Sequence, residues 1–460
     1  MVSRRLLNRL LHSLTLPTHR EALGWWIVTR SFLFTIWGLF GFYTQSDVIY
    51  YHESITALFH GAHPSTVLVE YPTPLIWLLS LPYILGLGTT TGYFIVFVGA
   101  FLAADALTGY VLWHSAHQYG TNPRPAAAFW IWFAIAIGPI MYMRLDLLTA
   151  ILTAAGLIAL VRTRRFISGA MIAIGAAIKL WPALLWPPTI VDRKAARSAT
   201  LGFLTVGGGL ALVSLLYGGW ERLVSPLTWQ SDRGLQVESV FATPLLIARL
   251  FDPSRWEVYN SKYNAFEVLG PGTVLLTQVA TIATIAGGIV ILVLYIGWLR
   301  RKDRTAIEAG TLMIIATLIM VITNKTFSPQ YMIWLAGPVA ALLTISARRP
   351  ELLAAGEPLF AWFKRPSHIG KDEHLVGPLT LARHIAIWTL VLTVLTQLIY
   401  PLLYSHLIEM RVLTPLATII LVVRNVALVY FSIRLIALAF RSIAFQPAET
   451  KLPRSRDRRS

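Results

Sequence analysis

TVLLTQVATIATIAGGIVILVLYIGWL, residues 273–299, runs 27 residues without a charge, and Arg300-Arg301-Lys302 follow it directly. A membrane-spanning helix needs about 20 mostly apolar residues, and cytoplasmic loops collect Lys and Arg. The run and its basic cluster therefore read as a transmembrane helix ending at the cytoplasmic face. The rest of the chain repeats the pattern. Of 460 residues, 56% are hydrophobic and 13% charged, and the mean hydropathy is +0.62. A soluble domain carries about 25% charged residues, so these charges are too few to cover a water-facing surface. The fold class implied is an all-α polytopic membrane protein.

Twelve segments have the composition of spans: 25–44, 92–114, 126–142, 146–161, 166–179, 181–191, 199–217, 273–299, 306–323, 329–346, 384–404 and 412–434. The fifth and sixth are short and read as a hairpin or broken helices. The last contains Arg424 and Arg434. Arg4, Arg5 and Arg9 place the N-terminus inside. Alternation then puts 45–91, 143–145, 179–180, 218–272, 324–328 and 405–411 outside. These outer segments hold nine of the 39 Lys and Arg, at 144, 179, 222, 233, 249, 255, 262, 325 and 411. The basic clusters at 162–165, 193–194, 300–302, 348–349 and 451–459 all fall inside, as does the C-terminus. This is the charge asymmetry of a multi-pass plasma-membrane protein. Tyr71–Gly88, YPTPLIWLLSLPYILGLG, is apolar but broken by Pro72, Pro74 and Pro82, and reads as one or two helices lying in the outer interface. The N-terminal apolar run lacks a small-residue cleavage site before Asp47 and reads as a retained helix. The chain reads as one polytopic domain over 1–460. Its core is 25–346, followed by a cytoplasmic loop (347–383), two last helices (384–434) and a disordered basic tail (447–460).

Several functions are excluded at this level. The net charge of +17 lies in short clusters between apolar runs, which is the membrane pattern and not a nucleic-acid surface. With no cysteine there is no disulfide framework, thiolate metal site or cysteine nucleophile. His60/His63 and His114/His117 are spaced three apart, but two histidines do not make a metal site. No P-loop, His-Glu-x-x-His or Asp-x-Asp pattern occurs.

Outward-side polar residues concentrate in four places. Ser46-Asp47-Val-Ile-Tyr50-Tyr51-His52-Glu53 follows the first helix. Asp47 sits at its mouth, where a partly desolvated carboxylate gains basicity and still meets an aqueous substrate. The alternative is that Asp47 caps a helix running to Phe59. Glu70-Tyr71-Pro72-Thr73-Pro74 reads as the proline-started beginning of an interfacial helix. Arg144 and Asp146 lie at an outer turn, where they either pair with each other or offer Arg144 to a phosphate. Thr323–Tyr331 carries Lys325 beside Pro329, and Lys179 lies in Ala-Ile-Lys179-Leu-Trp181-Pro182. Each lysine is either a snorkelling anchor or a phosphate ligand. Arg30 and Asp105 are charges within helices, and a structural pair between them is the favoured reading.

Together these pieces resemble the GT-C glycosyltransferases, polytopic enzymes that take sugars from polyprenyl-phosphate donors. The chain is most similar to glycosyltransferase family 87, the actinobacterial polyprenyl-phosphate-mannose-dependent α-mannosyltransferases. Asp47–Tyr51 matches the Asp-x-x-x-Tyr start of the family's first loop. Gly175-Ala-Ala-Ile-Lys179-Leu-Trp-Pro182 matches Gly-x-x-x-Lys-x-x-Pro, and Ser328–Trp334 matches Ser-Pro-Gln-Tyr-x-x-Trp. Thr73 departs from the family, which has proline there. The likeness covers about residues 25–346, and the last two helices carry no matching motif.

The resemblance implies a GT-C fold of about 12 helices, with juxtamembrane helices in the first outer loop. It implies transfer of a sugar, mannose or arabinofuranose, from a polyprenyl-phosphate donor to a glycolipid or polysaccharide acceptor. Asp47 would be the general base. Lys325, Arg144 and Lys179 would hold the donor phosphate, and Glu53, Glu70, Tyr71, Asp146, Gln330 and Tyr331 would contact substrate. Neither a cofactor nor a metal is implied, and the partners are those substrates and membrane lipids. The aromatic residues of 218–272, Trp220, Trp229, Trp256 and Tyr259, either stack on sugars or anchor at the interface. The rival readings are a transporter or lipid flippase, and a non-catalytic assembly subunit. A transporter should show related halves and midplane charges. An assembly subunit would not need Asp47 at a pocket.

Overall fold

The computed structural model describes residues 13–14, 17–41, 43–347 and 378–444. Arg4, Arg5 and Arg9, nearly all of the 347–383 insert and the 447–460 tail lie outside the described residues. Among the described residues there are fifteen α-helices and one two-stranded sheet. The all-α polytopic reading holds.

Among the described residues, eight helices are long and apolar enough to cross a membrane. They are α1 (His19–Phe40), α4 (Thr90–Gln118), α5 (Arg124–Ile137, continued by 3-10 turns to Tyr142), α8 (Arg193–Ser231), α10 (Thr273–Arg300), α11 (Ala306–Thr323), α13 (Pro378–Gln397) with its continuation, and α15 (Thr414–Ala444). The shorter helices are α2 (Ser46–Phe59), α3 (Pro74–Leu85), α6 (Asp146–Val161), α7 (Arg165–Ile178), α9 (Thr243–Phe251), α12 (Ile333–Ser346) and α14 (Tyr404–Glu409).

Four of the twelve expected spans are thus not long helices. At 1.5 Å per residue α6 and α7 are about 24 and 21 Å long, short of a ~30 Å hydrocarbon layer. Segment 329–346 opens as a 3-10 turn, Pro329–Met332, and becomes α-helical only at Ile333. Segment 181–191 contains no α-helix. It forms 3-10 turns at Trp181–Leu185 and Pro187–Thr189, because Pro182, Pro187 and Pro188 each lack the N–H an α-helix needs. The 218–272 segment is more structured than a loop. Helix α8 continues to Ser231 across a kink at Gly219, and after it come α9 and the hairpin β1 (Glu257–Asn260) and β2 (Phe266–Leu269).

Contacts between loops sort them to two ends of the bundle. At one end Arg162 donates to the hydroxyls of Tyr119 and Ser115, and the Asn122 N–H to the Ala347 carbonyl. Arg165 pairs with Asp192 at 2.6 Å, and Arg304 donates to the Val191 carbonyl. At the other end Arg144 donates to the Thr44 carbonyl, Arg222 to Tyr71, Arg249 to Leu407, and the Gln236 N–H to Lys325. Lys179 reaches Asp146 there as well. Because Lys179 and Asp192 lie at opposite ends, the 3-10 segment between them carries the chain back across the bundle. The loops therefore divide as the alternation required, and α3 does not cross. Tyr71 before it and Gly88 after it both lie at the Asp47 end, where the Gly88 carbonyl accepts from His52 Nε2 at 3.0 Å.

Within the bundle Arg30 Nε and Nη2 donate to the two oxygens of Asp105, each at 2.9 Å. Trp26, Trp130 and Tyr142 complete the same carboxylate. Five donors on one buried acid explain both charges as a structural pair.

Candidate active site

Helix α1 ends at Phe40, where Gly41 turns left-handed (φ 56) and its N–H closes on the Trp37 carbonyl. Helix α2 begins five residues later, so Asp47, in its first turn, stays at the mouth of the bundle. Gln45 occupies the N-cap, so Asp47 does not cap. Its Oδ2 lies 2.9 Å from Arg144 Nε, with the Asp47 side chain 21% exposed. Arg144 is buried, and its Nη1 donates to the carbonyls of Thr44 and Met143. Burial opposes the Arg144 charge, but Asp47 together with Tyr400, Tyr51 and Tyr71 raises its pKa.

A second pair stands next to the first. Asp146, wholly buried, opens α6 and accepts from Lys179 Nζ on both oxygens at 2.8 Å. Trp334 Nε1 donates to the same carboxylate. Two glycines make this meeting possible. A Cβ at Gly175 would come within 3.3 Å of Pro182, so the chain folds tightly back at Lys179 between them. A Cβ at Gly337 would lie 1.8 Å from the Ala150 carbonyl, so α12 can approach α6 only with glycine there. That approach brings Trp334 to Asp146. Arg144 and Asp146 thus do not pair with each other. Each carries its own partner, and two opposite-charge pairs sit two residues apart in sequence.

The Tyr71 ring lies 5.6 Å from Lys179 Nζ, and the Tyr51 and Tyr71 hydroxyls are 3.1 Å apart. Trp181 stacks on Trp334, which stacks on Tyr331. The three short motifs, Asp47–Tyr51, Gly175–Pro182 and Ser328–Trp334, therefore converge through Tyr71 and Asp146. Glu70 borders this cluster. Its Oε1 accepts from Tyr50 at 2.8 Å, its Oε2 has no partner, and burial raises its carboxyl above the usual range. Arg222, 1% exposed, holds the preceding loop by donating to the carbonyls of Val67, Leu68 and Tyr71.

Other expected site residues lie elsewhere. Glu53 is exposed on the far side of α2 and lines a separate pocket with His52, Thr56 and His60. Six residues from Asp47 is about 120° away around a helix, which separates the two carboxylates. Lys325 lies toward Glu267, Asp232 and Arg233, and burial lowers its pKa. Gln330 is half-buried in the 3-10 turn Pro329–Met332. The sequence reading missed Tyr400, which lies in the field of Arg144 and Asp47 at the break after α13. The signal for it was Pro401, since a residue before proline is pushed out of the helical region.

Beneath the pairs lies an apolar cavity of about 770 Å³. Its wall runs from Pro74, Leu148 and Ile178, adjoining Tyr71, Asp146 and Lys179, to Leu112, Ile158 and Met171 toward the opposite end. Helices α3, α4, α6, α7 and α8 all contribute.

A membrane bundle with charge pairs at the mouth of an apolar cavity suits an enzyme acting on an amphiphile. Residues 70–324, more than half of the chain, match the model of Glycosyltransferase family 87. The chain belongs to that family and is a membrane glycosyltransferase. Arg144, Asp146 and Lys179 fall inside the matched stretch, while Asp47 and Ser328–Trp334 fall outside it. Neither a curated protein nor a solved structure gives a match.

Proposed function

We propose that the enzyme transfers mannose from a polyprenyl-phosphate donor to a glycolipid or polysaccharide acceptor at the outer face of the plasma membrane. The supporting observation is the apolar cavity whose wall residues Pro74, Leu148 and Ile178 are close chain neighbours of Tyr71, Asp146 and Lys179. A long isoprenoid chain fits the apolar wall, and a phosphate fits the cationic end. The basic clusters at 162–165, 193–194 and 300–302 belong to the opposite end, which the positive-inside rule assigns to the cytoplasm. The site then faces outward and both termini lie inside.

In this reading the acceptor hydroxyl attacks the anomeric carbon as Asp47 takes its proton. The bond from that carbon to the phosphate oxygen breaks, and its electron pair leaves with polyprenyl phosphate. Arg144 and Lys179 stabilise the growing phosphate charge. Arg144 already holds Asp47 in line, so one guanidinium ties the base to the leaving group. Backside attack on a β-linked donor gives an α product. Glu70, Tyr71, Gln330 and Tyr331 border the sugars.

Ala155→Trp tests the donor class by filling the cavity. With long-chain polyprenyl-phosphate mannose the donor KM should rise about tenfold or more. A short-chain donor that does not reach Ala155 should be used almost as by wild type. Equal effects on both donors would remove the cavity from donor binding. The same assay with an arabinofuranosyl donor decides the sugar.

A further inference from the structure

Residues 325–327 join α11 to the 3-10 turn Pro329–Met332, between Asn324 and Ser328, whose backbones are extended (ψ 144 and 147). An extended stretch has no helix partners, so its buried backbone groups need partners from elsewhere. Gln236, between α8 and α9, supplies two. Its backbone N–H donates to the Lys325 carbonyl at 3.1 Å, and its side-chain oxygen accepts from the Phe327 N–H at 3.0 Å. Both Gln236 and Phe327 are buried. Gln236 is itself held in place. The Val237 N–H donates to the Phe266 carbonyl and the Val268 N–H to the Leu235 carbonyl, so residues 235–237 lie antiparallel beside β2.

The Phe327 ring is held from a second side. Arg424, buried in α15, places its guanidinium 4.1 Å from the ring centre and donates through Nη2 to the Glu238 carbonyl at 2.8 Å. From Phe327 a series of contacts leads to the charge pairs. The Phe327 and Tyr331 ring centres are 6.1 Å apart, and the Tyr331 hydroxyl lies 3.4 Å from Thr326 Oγ1. Tyr331 stacks on Trp334 at 4.0 Å. Trp334 Nε1 donates to Asp146, and Asp146 holds Lys179.

We propose that Gln236 is a positioning residue for sugar transfer. By fixing the Lys325 carbonyl and the Phe327 N–H it sets the Phe327–Tyr331–Trp334 stack, and through Trp334 it sets how Asp146 presents Lys179 to the sugar donor. Removing the side-chain oxygen strands a buried N–H, and residues 325–327 must shift to find it a partner. Rings packed face to face in a dense interior pass such a shift along. If Trp334 withdraws, Asp146 loses its third hydrogen bond and is free to turn, and Lys179 Nζ, bonded to both carboxylate oxygens, turns with it. A small misplacement of a group that holds substrate is enough to weaken its use. Glutamate at 236 still has an oxygen that accepts from the Phe327 N–H in either protonation state, whereas leucine has none.

The inference rests on Lys179 holding the donor phosphate, so the Asp146→Ala/Lys179→Met double variant is run alongside. Purified enzyme in vesicles is assayed with polyprenyl-phosphate mannose and extracted membrane glycolipids, each substrate varied in turn. Gln236→Leu should raise the sugar-donor KM about tenfold, the scale of one stranded buried N–H, and change the acceptor KM by less than about twofold. Gln236→Glu should keep the sugar-donor KM close to wild type. Trp334→Phe keeps a ring in the stack but loses the N–H that Asp146 accepts, so adding Gln236→Leu to it should raise the sugar-donor KM no further. A Gln236→Leu enzyme that melts earlier but keeps the wild-type sugar-donor KM would overturn the inference. Equal changes in both KM values, or effects that multiply in the Trp334→Phe background, would do the same. A raised sugar-donor KM in Asp146→Ala/Lys179→Met beside an unaltered Gln236→Leu overturns this inference and leaves the donor reading standing. A wild-type value in Asp146→Ala/Lys179→Met removes both. An NMR spectrum of enzyme with labelled tryptophan needs no substrate. The Trp334 indole N–H resonance, identified by its loss in Trp334→Phe, should move in Gln236→Leu and return in Gln236→Glu. If Gln236→Leu does not fold, Gln236→Asn draws the oxygen back by one methylene and should move the same KM and the same resonance. A resonance that stays still in a folded variant would refute the link.

Discussion

Deleting Asp146 alone should harm the fold more than deleting it together with Lys179. Asp146 is fully buried and accepts two bonds from Lys179 and one from Trp334. Asp146→Ala strands an ammonium in a low-dielectric site, which costs about 3–5 kcal/mol for a buried pair. Lys179 is 16% exposed and keeps the Tyr71 ring, so the low end, about 3 kcal/mol, applies. Lys179→Met strands the carboxylate at a similar cost. The double variant removes both charges and fills the space with an apolar side chain, so its loss should be about 1 kcal/mol or less. The coupling is then about 5 kcal/mol, far above the ~0.5 kcal/mol scatter of independent sites. Equilibrium unfolding in mixed detergent micelles measures all three variants. The folded double variant should still use donor poorly, because Arg144 is left without Lys179 to hold the phosphate. Additive single losses would refute the geometry. A stable and active double variant would refute a donor role for Lys179.

Arg222→Met removes three bonds to the 67–71 backbone and should cost about 2–4 kcal/mol, with loss of activity; circular dichroism melting against turnover checks it. Because folding raises the Glu70 carboxyl, the folded state binds more protons, and this residue's contribution to stability falls as pH rises. Glu70→Gln should therefore stabilise the fold at pH 7 and by less at pH 5, read as a shift in thermal midpoint. Lys325→Ala should lower donor-dependent rate about ten- to a hundredfold if Lys325 binds phosphate, and leave it unchanged if it only anchors. A reporter fused after Lys262, between β1 and β2, should read external and one after Arg365 cytoplasmic; both on one side would reverse or remove the proposed orientation.

The membrane architecture was legible because spans are local. Residues 273–299 and 306–323 recur almost residue for residue as α10 and α11. Basic clusters sorted the loops because charge asymmetry accumulates along the chain. Short elements were less legible. The short segment 181–191 reads as a hairpin or broken helix, and Pro182, Pro187 and Pro188 are why it forms 3-10 turns. The site was legible as a set of motifs but not as a set of partners. Arg144 and Asp146 are near neighbours in sequence, whereas Asp47–Arg144 and Asp146–Lys179 are made by helix packing that spacing does not encode. Tyr400 belongs to no motif. Arg424 did carry a signal, since an arginine inside an apolar span requires a partner.

The central claim is that Asp47 is the base, and Asp47→Asn tests it most directly. Asparagine keeps the size and an oxygen facing Arg144, but it cannot take the acceptor's proton. The measurement is single-turnover transfer of labelled mannose from polyprenyl phosphate, alongside donor affinity. Turnover should fall at least ~10²-fold with donor affinity close to wild type, the usual contribution of a positioned base. Glu53→Gln, on the far face of α2, should remain active. Near-normal turnover in Asp47→Asn with an inactive Glu70→Gln would move the base to Glu70, and near-normal turnover in Asp47→Asn, Glu53→Gln and Glu70→Gln alike would contradict a carboxylate base.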